Sequence, residues 1–405
     1  MESSVLWIWL AEAIGQGSPL YGKLRSLGYS VRDIYALDEY GLSSLFEKKT
    51  KAITNLLDKS LERAMHIREV CSQKGIAVYT PDTPEYPASL FDLKDPPAVL
   101  YVKGSCKPSE WGFTLGVVGT RKPTPYGKSI AYALSRTSAK AGATVISGLA
   151  LGIDSIAHAG ALAAGGVTVA VLASGVDVIS PSRHRQLAEA VLQNGALVSE
   201  YPPGTSPRAY HFPCRNRLVA ALCHSLAVLE GGMDSGAMIT AREAQALEKP
   251  IYALPGRIDD KEAEGPMQLL TEGARILRSE TCIAEDFKAA FVPLSKPSQT
   301  EEISLEEAEC RFALLDIPTS SAPKAKPQAK PQPEPPPQPK PKAVDISFLS
   351  PVEKAVYLRI PEQGTCLPDD LLCEGVGISD IMRMLTQFEI EGIILRHAGG
   401  RVSRL

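Results

Sequence analysis

The sequence lacks most of the features that assign a protein to a compartment at first sight. Its eight cysteines form no CxxC pair, and in a chain of 405 residues such scattered cysteines indicate reduced thiols in the cytoplasm rather than a disulfide framework. The N-terminus has no basic, apolar leader, and no uninterrupted apolar run is long enough to cross a bilayer. We therefore expect a soluble, intracellular protein with no membrane span.

The chain also has little excess charge of either sign, because its net charge is only -3 at pH 7. The distribution is uneven, however. Residues 112–256 carry 12 basic and 8 acidic side chains, whereas residues 257–317 carry 7 basic and 14 acidic ones. The middle of the chain is the basic folded part, so an anionic ligand is expected there.

Composition and periodicity divide the chain into four parts. Residues 1–65 predict a small helical domain resembling SAM or helix-hairpin-helix domains. Residues 66–292 alternate apolar strands with helices, which is typical of an α/β fold with an extended, Rossmann-like, doubly wound parallel sheet. Residues 293–344 are acidic and then rich in proline and lysine, which indicates a linker. Residues 345–405 predict three helices and a hairpin, the order of a winged-helix domain.

Loops that follow the strands of a parallel sheet are where ligands bind. The loop 119–127 carries Arg121 at the end of a predicted strand. It does not have P-loop spacing, because Lys122 stands where glycine is required, so an NTPase loop is excluded. The loop 147–154 contains two glycines that permit close approach of a ligand to the backbone.

The segment 210–217 opens a predicted helix and combines Phe212 with Arg215 and Arg217. Positive side chains at a helix N-terminus oppose the helix dipole unless an anion binds there. An aromatic ring beside two arginines favours single-stranded nucleic acid, which is bound by base stacking and phosphate contacts. Nearby cysteines and histidines fit no standard zinc spacing, so we expect no metal and no cofactor.

Two other function classes remain open from the residues alone. The glycine-rich segment 230–240, with Thr240 and Glu243, also suits a Rossmann-like enzyme that cleaves nucleotides or nucleoside phosphates. A winged helix can instead read duplex DNA. The predicted helix 378–391, however, carries three acidic residues and a single basic one, Arg383, which disfavours binding in a DNA groove.

Six segments together resemble the DNA-processing protein A family, also called DprA or Smf. They are 118–127 (VGTRKPTPYG), 147–158 (SGLALGIDSIAH), 199–204 (SEYPPG), 212–217 (FPCRNR), 235–241 (SGAMITA) and 254–256 (LPG). The resemblance covers about residues 75–280, and the order of the flanking domains also suits the family. This sequence departs from the family pattern at Leu151, where arginine is usual.

The resemblance implies a protein without catalytic activity that binds and protects incoming single-stranded DNA and loads the recombinase RecA in natural transformation. It also implies a homodimer. The nucleic-acid-binding residues that we predict on this basis are Gly119, Arg121, Ser147, Gly148, Arg208, Phe212, Arg215, Asn216, Arg217, Ser235 and Gly236.

Overall fold

The structure is a computed structural model that describes residues 2–46, 51–289, 303–312, 314, 349–361, 365–371, 377–390, 393–397 and 401–404. The chain divides into two compact units, residues 1–318 and residues 319–405. Among the described residues, no helix combines the length and the apolar character that a membrane span requires.

The N-terminal region of the first unit is helical. Its helices are α1 (Ser3–Ile14), α2 (Pro19–Ser26), α3 (Val31–Ala36), α4 (Glu39–Leu45), α5 (Lys51–Asn55) and α6 (Glu62–Gln73). Helix α3 begins with a capping box, in which Ser30 and Asp33 satisfy each other's backbone N–H groups. Helix α6 continues across residue 65, where we placed a domain boundary, and the boundaries themselves stay a prediction.

The rest of the first unit alternates strands with helices. The strands are β1 (Ala77–Tyr79), β2 (Leu100–Gly104), β3 (Thr114–Val118), β4 (Thr144–Ser147), β5 (Thr168–Val171), β6 (Gly195–Ser199), β7 (Ser225–Val228), β8 (Ile251–Ala253) and β9 (Arg275–Ile276). The helices are α7 (Pro125–Lys140), α8 (Ile153–Ala163), α9 (Arg185–Asn194), α10 (His211–Leu222), α11 (Gly236–Ala246), α12 (Glu264–Thr271), α13 (Cys282–Asp286) and α14 (Leu305–Arg311). Short 3₁₀ helices lie at Ala88–Asp92, Pro108–Glu110, Ser182–His184 and Lys261–Ala263.

The nine strands form one sheet in the order β1-β2-β6-β5-β4-β3-β7-β8-β9. Seven neighbouring strands pair in parallel, namely β6, β5, β4, β3, β7, β8 and β9. Strands β1 and β2 add an antiparallel edge beside β6. This confirms the predicted α/β class with a large, mostly parallel sheet. The strand order reverses between β3 and β7, so the loops after these two strands diverge and leave a crevice at that point.

Alternate residues of the strands face two different cores. In β3, Leu115 and Val117 belong to one hydrophobic cluster and Val118 belongs to the other, and all three are buried. The first cluster also contains apolar residues of α1, α7, α8 and α9, whereas the second contains those of α10, α11 and α12. The sheet is therefore covered by helices on both faces, as its continuous apolar strands require.

Helix α14 lies within the segment that we predicted as linker, yet it packs on the first unit. Ala308 is fully buried, and the Lys128 ammonium lies 2.7 Å from a carboxylate oxygen of Glu309. The Tyr132 hydroxyl donates a hydrogen bond to the carbonyl oxygen of Ile303. The acidic part of the segment thus contains a docked helix, while the proline-rich run 323–342 lies outside the described residues.

The second unit contains α15 (Pro351–Arg359), a 3₁₀ helix at Pro368–Leu371, α16 (Ile378–Ile390) and the strands β10 (Ile394–Arg396) and β11 (Val402–Arg404). The two strands pair antiparallel. Val356, Ile381, Leu385 and Phe388 are fully buried in a separate hydrophobic cluster. This unit therefore has its own core.

Candidate nucleic-acid interface

A cavity of about 640 Å³ opens where the strand order reverses. Its walls come from the loops after β3 and β4 and from the first turns of α10 and α11. We call it the Arg121 cavity. Eight of the predicted residues line it, namely Gly119, Arg121, Gly148, Phe212, Arg215, Asn216, Ser235 and Gly236. Segments far apart in sequence thus converge because their strands end at the same edge of the sheet.

An exposed arginine and an aromatic ring form one wall of the cavity. The Arg121 guanidinium lies over the Phe212 ring, 5.3 Å from its centre, and Lys122 beside it is exposed and also lines the cavity. Phe212 is half-buried and belongs to neither hydrophobic cluster of the first unit. The ring therefore packs against a cation at a surface rather than filling the core.

A second arginine lies at the base of the cavity. Arg215 is only 4% exposed, and its Nη1 donates to the carbonyl oxygen of Val171. Gly148 makes room for it, because a Cβ atom at that position would lie 2.1 Å from the same Nη1. Burial lowers the pKa of Arg215, and the neighbouring Asp154 carboxylate opposes that shift.

Asp154 is a site residue whose role we did not predict. It lies in the first turn of α8, whose N-cap is Gly152, and its carboxylate accepts from the backbone N–H groups of Gly148 and Ala150. Burial raises the pKa of Asp154, while Arg215 opposes the rise. The Asp154 carboxylate partly balances the buried guanidinium, and Arg121 and Lys122 add positive charge that favours an anion in the cavity.

Two helix N-termini complete the site. Asn216 joins them, because its Oδ1 accepts from the Arg215 Nε at 3.2 Å and its Nδ2 donates to the carbonyl oxygen of Gly236 at 3.1 Å. Ser235 caps α11 by accepting from the Met238 N–H. The positive ends of α10 and α11 therefore border the same cavity as the arginines, an arrangement that favours phosphate.

Glu230 positions the loop that carries Arg121. Its carbonyl oxygen accepts from the Thr120 N–H at 2.7 Å, and its carboxylate accepts from the Thr124 N–H at 2.8 Å and from the Thr124 hydroxyl. Arg121 lies between these two anchor points. Glu230 is 4% exposed, and burial raises its pKa. The sequence showed it only as the residue after a strand.

The structure gives two of the predicted residues places away from the cavity. Ser147 is fully buried within the sheet, and its hydroxyl donates to the carbonyl oxygen of Val117. Arg217 is 5% exposed, its Nη2 donates to Glu200 at 2.6 Å, and its Nε lies 2.8 Å from a carboxylate oxygen of Asp95. Both residues hold the fold together, because the Ser147 hydroxyl donates to the backbone and the Arg217 guanidinium is paired with two carboxylates.

Arg208 occupies an intermediate place. It is exposed, its Nη1 lies 3.2 Å from the Tyr210 hydroxyl, and it is one residue from Ala209, which lines the cavity. It does not itself line the cavity.

The residues behind the enzyme alternative are not arranged as a catalytic pair. Thr240 lines the cavity, but its hydroxyl donates to the carbonyl oxygen of Gly236, and Glu243 is not part of the lining. Within the described ranges, no cluster of three histidine, cysteine, aspartate or glutamate side chains could hold a metal ion.

Comparison with known proteins gives a consistent result. Residues 77–288 match the family described as DNA recombination-mediator protein A. Protein Smf of Synechocystis is 34% identical over 337 residues, which cover 82% of this chain and 81% of that protein. DNA processing protein DprA of Bacillus subtilis is 34% identical over 249 residues, which cover 62% of this chain and 84% of that protein. The X-ray structure of DprA from Streptococcus pneumoniae superimposes with a TM-score of 0.56 and 28% identity, and the match covers 70% of this chain and 96% of that one.

Proposed function

The chain belongs to the DNA recombination-mediator protein A family, whose members are DNA-binding mediators rather than enzymes, and we propose that it binds single-stranded DNA in the Arg121 cavity. The observation that carries this proposal is the stacked pair of Arg121 and Phe212 above the buried Arg215. Together they supply a phosphate contact, a base-sized apolar surface and a positive floor.

The shape of the cavity supports a single strand over a duplex. Its walls are loops and helix N-termini at the edge of a sheet, and it offers no protruding helix or ribbon to enter a major groove. A flexible single strand can place one phosphate between Arg121 and Arg215 and one base against Phe212. In a duplex the bases are paired and stacked, so a duplex cannot place a phosphate and a base in the cavity at the same time.

A titration of the full chain tests this proposal. Fluorescence anisotropy with single-stranded and duplex oligonucleotides of equal length, at several salt concentrations, should show much tighter binding of the single strand. The affinity should fall steeply with salt, because each neutralised phosphate releases counterions. Equal affinity for the two forms would contradict the proposal.

We further propose that the bound strand is handed to a RecA-type recombinase, and that the protein acts as a homodimer in the cytoplasm during the processing of transforming DNA. Family membership supports these steps. A test is RecA filament formation on single strands already covered by a single-strand-binding protein. The chain should accelerate filament formation, and Arg121→Ala should remove the acceleration. Analytical ultracentrifugation of the full chain tests the dimer.

For the second unit we propose a winged-helix domain that does not read duplex DNA. The order α15, 3₁₀ helix, α16 and β10–β11 supports the fold. Asp380 and Glu389 on α16 are exposed, which is unfavourable for a helix in a negatively charged groove. A chain ending at residue 318 should therefore retain the single-strand affinity of the full chain and lose none of its weaker duplex affinity.

A further inference from the structure

A second cavity, of about 600 Å³, lies on the other side of the loop that carries Arg121. We call it the Tyr126 cavity. It opens at the ends of β7 and β8, where Leu229, Leu254 and Pro255 form apolar walls. Residues 120–122 of the loop line the Arg121 cavity, and residues 124–126 line the Tyr126 cavity. A strand that crosses this loop therefore meets both cavities in succession.

The two cavities differ in the sign of their charge. The Arg121 cavity is lined by three basic side chains and by two acidic ones, Asp154 and Glu262, whereas Glu230 and Asp260 line the Tyr126 cavity. Its single basic lining residue, Arg257, is highly exposed and paired with Asp259. A phosphate in the Tyr126 cavity would face carboxylates and is disfavoured. A neutral group with N–H donors suits it, since a carboxylate accepts from the exocyclic amine of cytosine.

Tyr126 gives the cavity a flat surface for a ring. Its side chain is 49% exposed although it lines a cavity, and its hydroxyl donates to the carbonyl oxygen of Pro255 at 3.3 Å. This hydrogen bond holds the ring across the space between α7 and the loop after β8. A planar heterocycle can stack on the free face of such a ring whatever its base identity.

Gly127 explains how the acidic wall comes so near the start of α7. A Cβ atom at this position would lie 2.3 Å from the Glu230 carboxylate, so only glycine lets the carboxylate pack there. Glu230 thereby reaches Thr124 on one side and lines the cavity beside Tyr126 on the other. The same residue that positions the Arg121 loop contributes an acceptor to the second cavity.

We propose that the Tyr126 cavity is a nucleobase subsite for the strand whose phosphate occupies the Arg121 cavity, and that it favours bases with an exocyclic amine, cytosine above all, over thymine. The proposal rests on the proposed function. Phosphate contacts carry no sequence information, so a base preference requires a contact to the bases themselves.

The test uses the full chain and two single strands of equal length, one of deoxycytidines and one of thymidines, in anisotropy titrations at neutral pH. The wild-type chain should bind the deoxycytidine strand about 10-fold more tightly, as expected for a hydrogen bond to a charged acceptor. Tyr126→Ala should weaken binding of that strand by at least about 5-fold, the lower end for a lost base stack. Tyr126→Phe should keep most of the affinity, because the ring remains.

Asp260→Asn isolates the charge of the cavity from its stacking surface. It should reduce the preference for deoxycytidine while leaving the thymidine affinity unchanged or slightly higher. Tyr40→Ala, which removes an exposed tyrosine of α4, is the matched control and should leave both affinities unchanged. Melting temperatures of all variants confirm that they are folded.

The outcomes separate this inference from the proposed function. Wild-type affinity and wild-type base preference in Tyr126→Ala would overturn the subsite while single-strand binding stands. No single-strand binding by the wild-type chain would overturn both. Saturable binding of deoxycytidine monophosphate that Tyr126→Ala abolishes, with oligonucleotide binding intact, would assign the cavity to a free nucleotide and overturn the strand subsite.

Discussion

Arg121 and Arg217 should respond in opposite ways to truncation, although both were predicted to contact nucleic acid. The Arg121 guanidinium is exposed and rests on the Phe212 ring. Arg217 is buried between the carboxylates of Glu200 and Asp95. The structure thus offers a pair of variants with the same chemical change and different environments.

The magnitudes follow from these environments. Arg121→Ala loses a charged hydrogen bond to phosphate, worth about 1.5–3 kcal/mol, which weakens single-strand binding by about 10- to 150-fold. Its cost to folding is limited to an exposed cation–π contact of about 0.5–1 kcal/mol. Arg217→Ala leaves two carboxylates without their cation, and one of them, Glu200, is 2% exposed. Breaking such a buried pair costs about 3–5 kcal/mol of the free energy of unfolding.

Two measurements on each variant decide the matter. Anisotropy across a salt series gives the affinity and the slope of log affinity against log salt, which should flatten by about 0.7 in Arg121→Ala and stay unchanged in Arg217→Ala, measured where that variant is folded. Urea unfolding gives the stability, which should fall strongly only in Arg217→Ala. If Arg121→Ala keeps the wild-type affinity and slope, or if Arg217→Ala flattens the slope without losing stability, our assignment of the cavity is wrong.

Three further variants test other parts of the site and fold. Phe212→Ala should weaken single-strand binding by about 1–3 kcal/mol with little change in the salt slope, because the ring carries no charge, and a melting temperature lowered instead would place the ring in the core. Glu230→Gln keeps one acceptor but turns an amide N–H toward Thr124, so it should weaken binding through the Arg121 loop, whereas unchanged binding would show that the loop needs no such anchor. The Thr168 hydroxyl donates to the carbonyl oxygen of Val145, so the Nδ1 of His158 must donate to that hydroxyl. Burial lowers the pKa of His158 from 6.5 to about 3. As the pH falls below about 6.5 the unfolded chain therefore binds a proton that the folded chain excludes, and this group should lower the free energy of unfolding by up to about 1.4 kcal/mol per pH unit, a contribution to the slope that His158→Gln removes.

The parallel sheet and the convergence of Arg121 and Phe212 at one edge of it could be predicted because they depend on local patterns. The predicted alternation of apolar strands with helices is present in the structure, with β3 to β8 lying between residues 114 and 253. Apolar runs bounded by glycine or proline specify such strands. The rule that ligands bind beyond their carboxyl ends then brought Arg121 and Phe212 to one edge before any contact was known.

The features that could not be predicted depend on contacts between segments distant in sequence. The packing of α14 was missed and its segment was assigned to a linker, because the acidic sequence does not show that Lys128 and α8 are its partners. The antiparallel edge formed by β1 and β2 was missed because nothing within these strands shows that β2 pairs antiparallel with β6. In both cases the stabilising partner, rather than the segment itself, determines the structure.

Arg217 differs from these cases, because the spacing within its own segment is enough to predict the direction of its side chain. A helix places residues i, i+3, i+4 and i+7 on one face, and the cavity is lined by Phe212, Arg215, Asn216 and Val219, which have this spacing. Arg217 is two residues from Arg215 and therefore points about 200° away from it around the helix. Once Phe212 is taken as a cavity residue, the helix geometry alone directs Arg215 and Asn216 to the cavity and Arg217 to the protein. The first turns of α10 thus line the cavity with one face and anchor the helix to the sheet and to the loop of Asp95 with the other.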